Sequence, residues 1–114
     1  MAALVVSEAN GVKILKLSGR LTCEGVDQIT PMFTSEAQGP IQVIVDLSGV
    51  DMVATPGITM LLAADRSLKD AGGKMILTGT QDFVQEVIHR CRLDLLWTVI
   101  RDPNEAIRQA GQVQ

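Results

Sequence analysis

The apolar and polar positions of the chain alternate in short runs that change period several times. Leu4 to Ser7 is a brief β-branched run, and Asn10-Gly11 after it is a hairpin turn signal. "VKILKLSG" (12–19) follows as a second strand, so these two segments are expected to pair antiparallel. Residues 20–40 are polar and weakly helical, with Val26, Ile29 and Phe33 at helical spacing. Pro31 lies inside this stretch, where a proline costs about 3 kcal/mol. Either the helix kinks there or Thr30-Pro31 restarts it. "IQVIVDLSG" (41–49) is almost continuously apolar up to Asp46, as a central strand covered by helices requires. A short loop then leads to a helix from about Pro56 to Ala71. Its Ile58, Leu61, Leu62 and Leu68 form one buried stripe, and Met60 falls off that stripe, on the surface. Gly72-Gly73 ends the helix. "KMILTG" (74–79) is a further strand, and "TQDFVQEVIHRCRL" (80–93) an amphipathic helix with Phe83, Val84, Val87, Ile88 and Cys91 turned inward. "LLWTVI" (95–100) reads as a short strand, and a last helix runs from about Pro103 to Ala110.

The order β-β-α-β-α-β-α-β-α predicts an α/β fold: a mixed, mainly parallel sheet of four to five strands, opened by a hairpin, with helices packed against it. At 114 residues, one domain spanning 1–114 is expected. Hydrophobic residues make up 46% and charged residues 20%, the balance of a packed globule rather than a disordered chain.

Charge narrows the partners. A net charge of −3 with scattered Lys and Arg offers no basic face for nucleic acid. Phe33, Phe83 and Trp97 are the only aromatics, too few for a base-stacking platform. No run approaches the roughly 20 apolar residues that span a bilayer, and the N-terminal stretch has no signal-peptide pattern. Cys23 and Cys91 are isolated, which suits reduced thiols in the cytoplasm better than a disulfide or metal site.

Catalytic chemistry is not legible. His89 has no nucleophile and carboxylate at a spacing that would form a triad, and His89 and Cys91, two apart, do not share a helix face. Gly73-Lys74-Met75 lacks the hydroxyl that ends a phosphate-binding loop. Asp46 and Asp51 are two lone carboxylates in a turn region. The expectation is a protein that is not an enzyme, with no metal and no cofactor.

The junction "ATPG" (54–57) carries two readings. As local structure, Thr55 is an N-cap whose oxygen accepts from the first turn, with Pro56 at the first helical position. As a switch, Thr55 is a phosphoacceptor: a phosphate adds roughly −1.5 to −2 charges, which a helix N-terminus tolerates while a docked partner does not.

From Leu4 to Ile107 the sequence resembles the STAS domain family, whose best-known members are bacterial anti-sigma factor antagonists. Three blocks carry the resemblance. "ILKLSGRL" is similar to the family strand ending in Gly-Glu-Leu-Asp. "VIVDLSGVDMVATPGITMLLAA" is similar to the central strand, loop and helix holding Asp-Ser-Ser-Gly. "DAGGKMILTGTQDFVQEVIHRCRLDLLWTV" is similar to the helix stop, strand, helix and closing turn. The resemblance implies a partner-switching protein that binds a kinase-type anti-sigma factor, is phosphorylated by it and is reset by a phosphatase. The acceptor serine of the family falls on Thr55. Ala54 replaces the motif's aspartate, Pro56 its second serine, and Gly57 is kept; Arg20 and Thr22 replace the two acidic residues of the first block.

The implied partner surface is the 52–60 loop and helix start with the strand-end loop at 20–23, comprising Arg20, Thr22, Met52, Val53, Ala54, Pro56, Gly57, Ile58 and Met60 around Thr55. A member that has lost the switch and binds constitutively is a variant of this reading. The alternative is an accessory subunit of a lipid or solute transport ATPase, a role that needs no phosphoacceptor.

Overall fold

The structure, a computed structural model, describes residues 2–9 and 11–112. Its elements are β1 (Ala2–Ala9), β2 (Val12–Leu21), α1 (Cys23–Glu36), β3 (Gln42–Val53), α2 (Thr55–Asp70), β4 (Lys74–Thr78), α3 (Asp82–Arg90), β5 (Thr98–Ile100) and α4 (Pro103–Gln112). One further turn of 3-10 helix covers Leu93–Leu95. Among the described residues the five strands form one sheet whose spatial order is the chain order. β1 and β2 are antiparallel; β2, β3, β4 and β5 run parallel. This is the fold expected from the sequence. Gly11, with φ +77°, sits in the first turn; Asn10, the other half of that turn signal, lies outside the described residues.

Strand parity sorts side chains onto two faces. On one face Leu15, Leu17, Val43, Val45, Leu47, Met75 and Leu77 meet α1, α2 and α3 in the larger core, around Phe33, Leu61, Leu68, Val84 and Ile88. On the other, Ile44 and Ile76 pack against Ala106 and Ala110 of α4 in a smaller cluster. Both faces of the central strands are therefore dry, which explains the near-continuous apolar runs.

Several expectations need correction. α1 continues as one helix through Pro31, which is exposed, so the restart reading falls. Next to the proline, the Thr30 hydroxyl donates to the Val26 carbonyl at 2.6 Å. β3 does not end near Gly49 but runs to Val53. Its pairing with β2 slips twice, between Lys16 and Ser18 and between Gly19 and Arg20. Each slip adds one residue to β3, so Leu47, Val50 and Val53 reach the same core at intervals of three, a spacing that hides the strand.

In α2 the buried stripe is Gly57, Met60, Leu61, Ala64, Asp65 and Leu68, so Met60 is buried and Leu62 exposed, the reverse of the sequence reading. Burial of Asp65 is matched by Lys69 one turn on, at 3.0 Å. Gly72 does end α2, at φ +87°, and the Gly73 amide donates to the Leu68 carbonyl at 2.6 Å. α3 is only nine residues long and buries Val84 and Ile88 alone, leaving Phe83 and Cys91 exposed. Arg92 is left-handed at φ 58°, and the Leu96 and Trp97 amides both donate to the Leu93 carbonyl. That tight turn takes Leu95 and Leu96 out of the strand, and β5 keeps three residues.

Candidate functional site

The site lies where β2 and β3, extended past the rest of the sheet, hand over to α1 and α2. Arg20 pairs with Met52 and Leu21 with Val53 in the last rungs of the ladder. The Ala54 amide then donates to the Leu21 carbonyl at 3.0 Å, holding Ala54 extended at φ −108°, ψ 177°. Ala54 is thus the N-cap of α2, and its carbonyl accepts from Gly57 at 2.9 Å and from Ile58 at 3.2 Å. Thr55 is the first helical residue and Pro56 the second; no side chain caps the helix. The reading of Thr55 as the cap is therefore overturned. A residue with helical dihedrals cannot fold its own oxygen back onto the first turn as an extended N-cap does.

Thr55 is exposed. The amides near its hydroxyl are few, because Pro56 has none and the Gly57 amide is bonded to Ala54. Two glycines allow the helices this close. A Cβ on Gly57 would lie 2.8 Å from the Leu21 Cβ and 3.0 Å from its carbonyl oxygen; one on Gly25 would lie 2.1 Å from the Arg20 oxygen. Gly57 is retained, on this geometry, as a packing residue rather than a contact residue.

The sequence-derived partner residues separate by exposure. Arg20 and Met52 are exposed, the latter at 38%. Thr22, Val53, Ala54, Pro56 and Ile58 are half-buried, and Val53 and Ile58 also pack against the larger core. Met60 does not belong to the surface: at 6% exposure it sits between α1 and α2, where the Thr30 hydroxyl reaches its Sδ at 3.5 Å. Cys23 and Thr59, inside the 20–23 and 52–60 segments expected to form this surface, are exposed, and so are Asp51 and Leu62, which the sequence reading did not place here. Helical spacing was the available signal for Leu62, which is one turn from Ile58. The patch is mixed, with one cation in Arg20, one carboxylate in Asp51 and an apolar centre. Among the described residues no group of three His, Cys, Asp or Glu side chains is placed to hold a metal ion.

A family model for the STAS domain matches residues 3–106. The chain belongs to the STAS domain family. No curated protein matches the sequence. Among solved structures, this STAS chain is similar to an anti-sigma-factor antagonist (STAS) domain protein from Planctomyces limnophilus, with 22% identity, a TM-score of 0.87, and coverage of 96% of this chain and 98% of that one. It is also similar to the Bacillus cell fate determinant SpoIIAA in its phosphorylated form, with 20% identity, a TM-score of 0.70, and coverage of 94% and 98%. A third likeness is to the murine anion transporter Slc26a9, with 21% identity, a TM-score of 0.75, and coverage of 91% of this chain but 18% of the transporter. At these identities the likeness is one of fold.

Among the described residues no helix is long and apolar enough to cross a membrane.

Proposed function

We propose that this STAS protein is a non-enzymatic regulatory binding protein of the anti-sigma factor antagonist type, acting in the cytoplasm. It binds a serine/threonine-kinase anti-sigma factor through the exposed and half-buried residues around the start of α2: Arg20, Thr22, Met52, Val53, Ala54, Pro56 and Ile58. Thr55 is the phosphoacceptor, written by the kinase and erased by a phosphatase. The observation that carries this reading is the exposure of Thr55 as the first residue of α2, with its hydroxyl outside any cap. The solved phosphorylated form of SpoIIAA supports it as a precedent within the same fold.

The physical consequence of phosphorylation is local. Negative charge at the first position of α2 meets the positive end of the helix dipole, a contact worth about 0.3–1 kcal/mol. The fold therefore survives, while a partner packed on Met52 and Ile58 meets a dianion. Ala54, in place of an acidic residue, removes a carboxylate that would repel that phosphate.

The test is intact-mass measurement after incubation with ATP and each kinase-type anti-sigma factor of the same organism, run beside Thr55→Ala. A phosphate on the wild type that is lost in Thr55→Ala is the expected result. A stable complex without phosphate leaves a constitutive antagonist and removes the switch. Neither phosphate nor complex moves the reading to an accessory subunit of a transport ATPase, for which the likeness to part of Slc26a9 shows that this fold serves in transporters.

A further inference from the structure

The two edges of the sheet are built differently. β5 offers only three residues, a length that protects an edge from pairing. β1 is eight residues long, pairs with β2 without a break in register, and contains no Lys, Arg or Pro; Glu8 is its single charge. Between Ala2, whose amide is taken by Gln28 of α1, and Glu8, none of the devices that blunt an edge strand is present.

The outward-facing groups of β1 can be identified. The Ala2 amide donates not to β2 but to Gln28 Oε1 of α1, at 3.2 Å. In an antiparallel pair a residue's N–H and C=O point the same way and alternate along the strand. The backbone groups of Leu4, Val6 and Glu8 therefore face away from β2, along the open edge, whereas Ala3, Val5 and Ser7 bond to β2.

Two exposed apolar side chains flank that edge, one on each side of the sheet. Ala2, Leu4 and Val6 pack on the larger core, so Val5 points to the opposite face, where it is 60% exposed. Met32 of α1 is 47% exposed and lies one turn beyond Gln28, on the stripe of α1 that reaches the β1 edge. α1 runs alongside β1, with Gly25 against Ala2 at one end and Glu36 paired to Lys13 at 2.8 Å at the other. From Gly25 to Met32 a helix rises about 10 Å, in which a strand advances about three residues. Met32 therefore stands level with Val5.

We infer that β1 is a homotypic docking edge: two copies pair β1 to β1, antiparallel, about a two-fold axis at Val5. The sheet then continues across both copies. Leu4 and Val6 exchange backbone hydrogen bonds with Val6 and Leu4 of the second copy. Val5 meets its own copy on one face, while Met32 closes over the seam on the other. The arrangement is self-complementary, as a two-fold interface must be. Its one charge, Glu8, lies opposite Ala2 and not opposite another carboxylate. The area is small, so the dimer is expected to be reversible at micromolar concentration and not obligate. This surface is separate from the Thr55 site, and its test does not depend on the kinase.

Sedimentation velocity from micromolar to millimolar concentration is the experiment, with Val5→Lys, which sets two ammonium groups together at the axis, and Met32→Lys. The wild type is expected to dimerise with concentration, and each variant to weaken dimerisation about tenfold or more with an unchanged thermal melt. In a Cys23→Ser, Cys91→Ser background, Val5→Cys is expected to cross-link under mild oxidation, since directly opposed non-hydrogen-bonded pairs approach disulfide distance. Ser7→Cys, four strand positions from its own copy, is expected not to. A wild type that stays monomeric, a dimer unmoved by both lysines, or cross-linking at Ser7→Cys in place of Val5→Cys overturns the inference.

Discussion

Ala54 stands where a side-chain oxygen would close the first turn of α2, and a methyl group cannot do so. Its extended dihedrals already suit a cap, so Ala54→Asp is expected to stabilise the protein by about 0.5–1 kcal/mol in urea unfolding. The gain is held to the low end because Pro56 has no N–H, which leaves the Gly57 amide, already bonded to the Ala54 carbonyl, as the nearest donor to the carboxylate. Gly57→Ala should act in the opposite direction. Its new methyl meets the Leu21 side chain and backbone together, and a loss of about 1–3 kcal/mol is expected from the same measurement. Thr55→Glu, exposed and at the favourable end of the dipole, is expected to leave the melting temperature essentially unchanged, within about 0.5 kcal/mol. Any loss of partner binding in Thr55→Glu would then be a surface effect. At this scale the sequence identified the junction but misplaced its cap by one residue. Thr55 and Pro56 carry the chemical signals of a helix start, whereas Ala54 is made the cap by a backbone bond to Leu21, a residue 33 positions earlier. Tertiary contact, not side-chain type, decided the boundary.

At the scale of elements, the same competition explains what was legible. β2 and the core of β3 were plain, because uninterrupted slips of hydrophobic period do not occur before Asp46. Beyond it, the two bulges change the period from two to three and imitate a loop. α2 was found by its length, and Leu61 and Leu68 are buried as expected, but the edge of its stripe was misjudged: Met60 was taken for surface and Leu62 for core. In a 16-residue helix over a sheet, both are at plausible spacings, and only the position of α1 decides between them. α1 offers a direct test. Pro31 is exposed within an intact helix, so Pro31→Ala restores a backbone donor without disturbing the core. It is expected to stabilise the protein by about 1 kcal/mol or more, the helical gain exceeding the loss of rigidity in the unfolded chain. Thermal denaturation followed by circular dichroism reads the change.

For the whole molecule, the sheet divides the apolar residues into two unequal clusters, and the smaller one depends on a single helix. Ala106 and Ala110 of α4 lie over Ile44 and Ile76, with Ala106 fully buried. A carboxylate there would be buried without a partner, so Ala106→Glu is expected to cost about 3 kcal/mol or more. Near-UV circular dichroism should show Trp97, on the far face, losing its fixed environment only as the whole fold melts. That α4 would carry one face alone was not visible in its short sequence, since nothing local distinguishes a helix that covers a sheet from one that flanks it. The class of fold was visible, because the alternation of strands and helices is a property of the entire chain.

The identity of spatial and sequential strand order has a consequence for synthesis. Each strand leaving the ribosome finds its neighbour already in place and adds to the growing side, so the sheet can be laid down in the direction of translation. No strand waits for a later one to be inserted between it and its partner, and the contacts made early are never displaced. Until Pro103 to Gln112 emerges, however, Ile44 and Ile76 face water on a nearly finished sheet. That face stays open, beside strands already paired, until α4 docks on it.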